Sequence, residues 1–228
     1  MNGMESAMAK GTEIGAMKRA AALAAAAALA ALLAGCGVSR VAPAPAMLDL
    51  GADTAAAPAL PARAPIALAP VQGAPQLADT HVVWRVGDDG APRAYATYRW
   101  TAPPPSLVGQ RLAERLSRQG PVLGWNVGGA LPQLMVTVLR FEQVYAADGS
   151  ASAGRVGLQA VLVRGRAVLD QVRIERSEPA ATQDAPGGAQ ALRRATDAAA
   201  DELAGWLAQR IGPAPAAPGM NGAAPVSP

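Results

Sequence analysis

One cysteine, Cys36, and one histidine, His81, are all the thiol and imidazole that 228 residues contain. A zinc site, a Cys pair or a His cluster needs more than that, and no disulfide can close within the chain. Asp79 precedes His81 by two residues, a spacing at which a carboxylate could orient an imidazole, but hydrolysis would also need an activated nucleophile. No Gly-x-Ser-x-Gly turn offers one, and Ser106 reads as a helix-start residue. The neighbouring acids Asp88-Asp89 and Asp201-Glu202 fall in a turn and on an outward helix face, where water keeps carboxylates ordinary. Gly124 to Gly129 lacks the spacing and the following Lys of a phosphate loop and reads as a β-turn. The expectation is therefore a protein without catalytic residues, metal or cofactor. Arg85, Arg99 and Trp100 form an aromatic and basic group across a predicted hairpin. It reads either as a docking patch for a partner or as a cation–π and packing cluster closing the sheet onto the first helix.

Cys36 has a different chemistry open to it. Lys18-Arg19 is followed by an uninterrupted apolar run, Ala20 to Ala34, which Gly35 and Cys36 close. A basic start, an apolar stretch of about 15 residues and small residues before a cleavage point make a secretory signal. The run is shorter than the roughly 20 residues a membrane-spanning helix needs. Leu33-Ala-Gly-Cys36 resembles the bacterial lipobox. That resemblance implies cleavage between Gly35 and Cys36, a diacylglycerol on the Cys36 thiol and an N-acyl chain on its new amine. Met17 begins a complete signal by itself. Two or three acyl chains hold a protein at a membrane face durably where one does not. Gly37 in place of Asp favours the inner leaflet of the outer membrane, facing the periplasm; the alternative is the outer leaflet of the inner membrane.

Charge offers no competing reading. The chain carries 20 Lys+Arg against 17 Asp+Glu, and its net charge of +3 is not clustered. Setting aside Glu5, Lys10, Glu13, Lys18 and Arg19 leaves 17 Arg, no Lys and 15 acids beyond residue 35. Nothing there matches a phosphate backbone, so nucleic acid is excluded as a partner.

The elements follow from periodicity and breakers. Residues 36–65, rich in Ala and Pro, read as the acylated cysteine and a semi-extended tether, with Met47 to Leu50 able to form a short first strand. Residues 212–228 read as a disordered Pro/Ala tail. Between them, 66–211 is long enough for one core. Strands are expected at 66–71, 82–86 and 93–100, the last two joined across Gly87-Asp-Asp-Gly90, and then a meander at 133–144, 155–163 and 167–175. A helix over 106–119 buries Val108, Leu112 and Leu116 and turns Arg111, Glu114, Arg115 and Arg118 outward, with Glu114 and Arg118 spaced to pair. A second, 189–210, buries one stripe of Leu192, Ala195, Ala199, Leu203, Trp206 and Leu207. The expected class is α+β: a two-layer sandwich of a mostly antiparallel sheet with both helices on one face, the other face open to solvent or partners.

Several blocks together resemble a known group. They are Ala67-Leu-Ala-Pro-Val71, Val82-Val-Trp-Arg-Val86, Tyr98-Arg-Trp-Thr-Ala-Pro-Pro104 running into Leu107 to Leu116, and Leu139-Arg-Phe-Glu-Gln-Val144 through to Trp206-Leu207. From about Leu48 to Leu207 the chain is similar to the auxiliary lipoproteins of ABC-type transport systems, including the paraquat-inducible C-type lipoproteins of intermembrane lipid transport. Trp84 stands where that family usually has Tyr, and Met47 to Leu50 replaces its Tyr-x-Leu opening, so no role is carried over from those phenols. The resemblance implies a periplasm-facing, non-enzymatic lipoprotein that works with an MCE-domain substrate-binding protein, a permease and an ATPase. Phospholipid or other hydrophobic cargo would be moved, and a homo-oligomer is compatible with the family. A free-standing structural or assembly lipoprotein of the envelope is the other function class.

Overall fold

The computed structural model describes residues 23–24, 43–56, 58–126 and 131–213. The chain divides at Pro43 into two units, and the fold lies in the second. Gly35 and Cys36, nearly all of the signal segment and residues 214–228 of the expected tail lie outside the described residues. Among the described residues no helix is long and apolar enough to cross a membrane.

Three long strands form the spine: β7 (Gln133–Tyr145), β8 (Ser152–Arg164) and β9 (Ala167–Pro179), each antiparallel to the next. This is the expected meander, extended at its ends. The other edge of β7 is filled by three short strands in succession, β2 (Ile66–Leu68), β3 (Gln72–Gly73) and β4 (His81–Val86). β5 (Arg93–Trp100) folds back on β4 across the Gly87–Gly90 turn, β1 (Ala46–Leu48) lies parallel to β5, and β6 (Val122–Gly124) lies parallel to β2.

The sheet is thus mixed and curled into a half-barrel, which corrects the expectation of a mostly antiparallel sandwich while keeping the α+β class. The reason lies in the prolines. Pro70 and Pro75 interrupt what would be one extended run, because proline cannot donate to a ladder. The run therefore continues in one direction as three pieces, all parallel to β7. Register slips between Val138 and Arg140, between Leu162 and Val163, and between His81 and Val83 add local twist and so curl the sheet.

Two helices, α1 (Pro104–Leu116) and α2 (Ala185–Arg210), pack on one side of the sheet and against each other. α1 starts on two prolines, whose missing N–H groups have no intrahelical partner at that position. Asp184 caps α2 by accepting from the Gly187 N–H at 2.8 Å, which starts that helix before Ala189. Along α2 the stripe of Leu192, Ala195, Ala199, Leu203 and Leu207 is buried as expected, with Trp206 half-buried at its rim. A Cβ on Gly154 of β8 would come within 2.4 Å of the Leu192 nitrogen, so α2 crosses the sheet where a side chain is absent.

The domain begins earlier than the sequence suggests. Of the segment read as tether, Leu50 is in the core, β1 is part of the sheet, and Arg63 is fully buried. The Arg63 guanidinium donates to the Leu116 carbonyl at 2.9 Å and so caps the end of α1. Few large apolar residues are needed for this attachment, because arginine side chains supply it.

Candidate functional site

Arg85, Arg99 and Trp100 do not form one group. Arg85 and Arg99 sit at opposite ends of the β4–β5 ladder, where Arg99 pairs with His81 and Arg85 lies beyond the Trp84–Arg93 pair. Trp100 is fully buried, edge-on to Phe141 at 5.3 Å, and so presents nothing to a partner. Between the His81–Arg99 and Val83–Ala94 pairs β5 bulges, and the Arg99 guanidinium donates to the carbonyls of Tyr95 at 2.8 Å and Tyr98 at 2.7 Å. It replaces ladder donors that the bulge removes. Arg85 pairs with Glu142 at 2.7 Å and reaches the Gly90 carbonyl at 3.3 Å, tying the hairpin turn to β7. The cation–π contact of this region belongs to Arg93, 5.3 Å over the ring of Trp84.

That contact rims a mostly apolar concavity. Trp84, Val86, Tyr95, Tyr145 and the turn Ala146 to Gly149 line a cleft of about 390 Å³. The Trp84 ring lies 5.9 Å from Tyr95 and 5.7 Å from Tyr145, the second edge-on. Tyr95 donates its phenol proton to Gln143 Oε1 at 2.8 Å, and the two tyrosine hydroxyls are 2.5 Å apart. Burial first, and then the Tyr145 hydroxyl, push the Tyr95 phenol well above its ordinary pKa, so it stays neutral at any physiological pH. Gln143, wholly buried, donates in turn to Ser152 Oγ at 2.8 Å. A Cβ on Gly188 would come within 2.1 Å of Gln143 Oε1, so the first turn of α2 packs directly on Gln143, the acceptor of the Tyr95 phenol. The cleft can hold apolar groups; it contains no nucleophile paired with a base.

The helix side holds a second cluster, and it corrects half of the outward face expected for α1: Glu114 and Arg118 are exposed as expected, Arg111 and Arg115 are not. Arg111 and Arg115 are buried, because α1 is covered by α2 on one side and by residues 50–56 on another. Arg111 pairs with Asp197 at 2.5 Å and donates to the carbonyls of Leu50 and Gly51 at 2.7 and 2.6 Å. Arg115 makes a two-oxygen contact with Asp201 at 2.7 and 2.8 Å and reaches Asp53 at 2.6 Å. Its Asp201 and other carboxylate contacts raise the Arg115 pKa in spite of burial, which acts the other way as the largest single influence. Arg118 completes the clamp on Asp53 at 2.5 Å, so it is not partnered by Glu114, whose contacts are Gln110 and Arg111. The clamp fastens residues 50–56, the stretch that follows the expected anchor, to both helices. Sequence reasoning missed it; Asp53, Arg111, Arg115, Asp197 and Asp201 give no local signal because their partners lie far apart in the chain.

His81 and Asp79 do meet, at 2.6 Å, but as an exposed turn in which Asp79 also accepts from the His81 N–H at 2.8 Å. That backbone hydrogen bond is the first cause that lowers the Asp79 pKa. Asp88 lies between Arg140 and Arg155, Asp201 on Arg115, and Glu202 on Arg176. Trp125 and Asn126 do form a turn after β6, and residues 127–130 lie outside the described residues. Among the described residues no group of three or more His, Cys, Asp or Glu is placed to hold a metal ion.

Comparison with known proteins agrees with the blocks read from the sequence. The model of the family described as "ABC-type transport auxiliary lipoprotein component" matches residues 48–204. No curated protein matches. Among solved structures, the fold is similar to that of XCC0632 from Xanthomonas campestris, a DUF330 protein, at 20% identity and TM-score 0.63, covering 72% of this chain and 95% of the other. An uncharacterized protein matches at 16% identity and TM-score 0.59, covering 72% of this chain and 99% of its own. At these identities the likeness is one of fold.

Proposed function

We propose, from the premise that this chain belongs to the ABC-type transport auxiliary lipoprotein family, that it is a lipid-anchored, periplasm-facing accessory subunit of an envelope transporter with an MCE-domain substrate-binding protein, a permease and an ATPase as partners. Phospholipid or another hydrophobic molecule is its cargo. Cys36 carries the acyl chains, and the inner leaflet of the outer membrane is the place of attachment. The protein catalyses no reaction; it positions others. The observation that carries this reading is the family match over residues 48–204, joined by the sole cysteine standing at the end of the signal segment.

A buried clamp suits this task. A domain held by its N-terminal segment transmits any pull from the membrane into residues 50–56, and Arg111, Arg115 and Arg118 pass that load to both helices. The sheet face away from the helices is then the surface offered to the substrate-binding protein.

The test is mass spectrometry of what co-purifies with C-terminally tagged, full-length protein extracted from native envelopes in mild detergent. Recovery of an MCE-domain protein with its permease and ATPase is the expected result. Recovery of cell-wall or outer-membrane assembly proteins alone would put the structural lipoprotein reading in its place.

A further inference from the structure

The uncovered face of the sheet is divided in two. Register places Arg140, Gly157 and Glu175 side by side, and then Glu142, Arg155 and Ser177. Charges in this half neutralise one another: Arg140 and Arg155 share Asp88, Arg173 meets Glu175 at 2.7 Å, and Arg85 meets Glu142 at 2.7 Å. Toward the β8–β9 turn the same face becomes apolar. Leu123, Gln133, Val163 and Val168 share one rung, joined through Ala67, which is itself wholly buried, and Met135, Val161 and Gln171 share the next. Leu134 and Leu162, which alternate with them, are wholly buried under the helices, so these rungs point the other way.

Among the described residues of the domain, seven large hydrophobics are left exposed, and four of them, Leu123, Met135, Val168 and its neighbour Leu169, lie at this end of the sheet. Val168 is 65% and Met135 47% exposed. Antiparallel sheets ordinarily show polar residues to water, and a gathered apolar patch marks a contact surface. The adjoining turn, Arg164-Gly165-Arg166, exposes two arginines, and neither meets a carboxylate among the described residues. They contrast with Arg210, which pairs with Asp170 on the same hairpin. Among the described residues β9 pairs with β8 alone, so no described strand lies on its outer edge.

We propose that this apolar end of the outer face, with Arg164 and Arg166 at its margin, docks an apolar segment flanked by acidic residues on a partner protein. The occupant follows from complementarity: apolar residues would cover Met135 and Val168, and carboxylates would meet the two unpaired guanidiniums. A bilayer fits less well, because the apolar residues lie within two rungs of the sheet and only two arginines stand on one margin, whereas interfacial binding pairs a large apolar face with a face rich in basic groups. The proposal rests on the reading of the protein as a docking subunit.

Its test uses the full-length chain in native envelopes, with a photo-reactive side chain placed at position 135 and the adduct sequenced. The expected adduct is a partner-protein peptide of apolar and acidic residues. Its yield falls about tenfold or more in the Arg164→Glu, Arg166→Glu variant. An acid-to-Arg exchange in that peptide restores the yield, and Arg173→Glu in the neutralised half leaves it unchanged. An adduct to a second copy of this chain, an adduct to lipid, no adduct, or a yield indifferent to the two charges would overturn the proposal. The two readings fail separately. An adduct obeying the charge rule on a protein outside any ABC system would keep this surface and remove the transport role. Co-purification of the transport proteins without such an adduct would do the reverse.

Discussion

Arg111 and Arg115 on α1 and Arg164 and Arg166 at the β8–β9 turn are the same residue type with opposite surroundings. The first pair is buried and saturated: each guanidinium meets an aspartate of α2 and at least one group from residues 50–56. The second pair is exposed and has no carboxylate in reach among the described residues. The difference teaches where this domain spends its charge. On the helix side arginine acts as structure, fastening an Ala-rich irregular segment, residues 50–56, that has too few apolar residues to hold itself. On the outer face it acts as surface, left for another molecule to satisfy.

The contrast is broken most severely by Arg115→Ala. Removing the guanidinium leaves Asp201 without its ion-pair partner and the nearly buried Asp53 with Arg118 alone, and loss of one member of a buried ion pair costs about 3–5 kcal/mol. Urea denaturation of the domain should show this as a lower midpoint with an unchanged slope. Asp53→Ala should cost less, about 2 kcal/mol, because Arg115 keeps Asp201 while the strap loses its charged hydrogen bonds. Limited proteolysis should then cut within residues 50–56, and resistance there would mean that β1, and not the clamp, holds the segment. Tyr145→Phe removes one hydroxyl from the cleft network and should cost about 1 kcal/mol, read from the same denaturation curve. The smallest effect belongs to Arg164→Glu with Arg166→Glu, which should leave stability within about 0.5 kcal/mol, as exposed substitutions do. A larger loss would show that those arginines are structural and would erase the contrast.

What the sequence made legible follows the same division. Hairpins joined by short turns, β4 with β5 and β7 through β9, could be read from alternation and from Gly87 to Gly90, because both partners lie within one window of chain. The stripe on α2 was legible for the same reason. The parallel pairings of β2, β3 and β4 with β7 were not, since the direction of a strand against a distant neighbour depends on the path between them. Arg111 and Arg115 were read as solvent-facing because helical periodicity reports one buried face, and α1 has a second one made by residues 50–56 and α2. Arg85, Arg99 and Trp100 were legible as a group of interesting types, but the bulge in β5 and the burial of Trp100 send each to a different task. The apolar end of the outer face needs Leu123, Met135, Val168 and Leu169 from three separate strands, which no spacing rule gathers.

All that is proposed about where the protein works depends on Cys36. The direct measurement is the intact mass of full-length protein extracted from native envelopes in detergent. The account predicts a chain beginning at Cys36, lighter by the signal segment and heavier by a diacylglycerol with or without an N-acyl chain. A mass equal to the unprocessed sequence, or a chain cleaved elsewhere with an unmodified thiol, would contradict it.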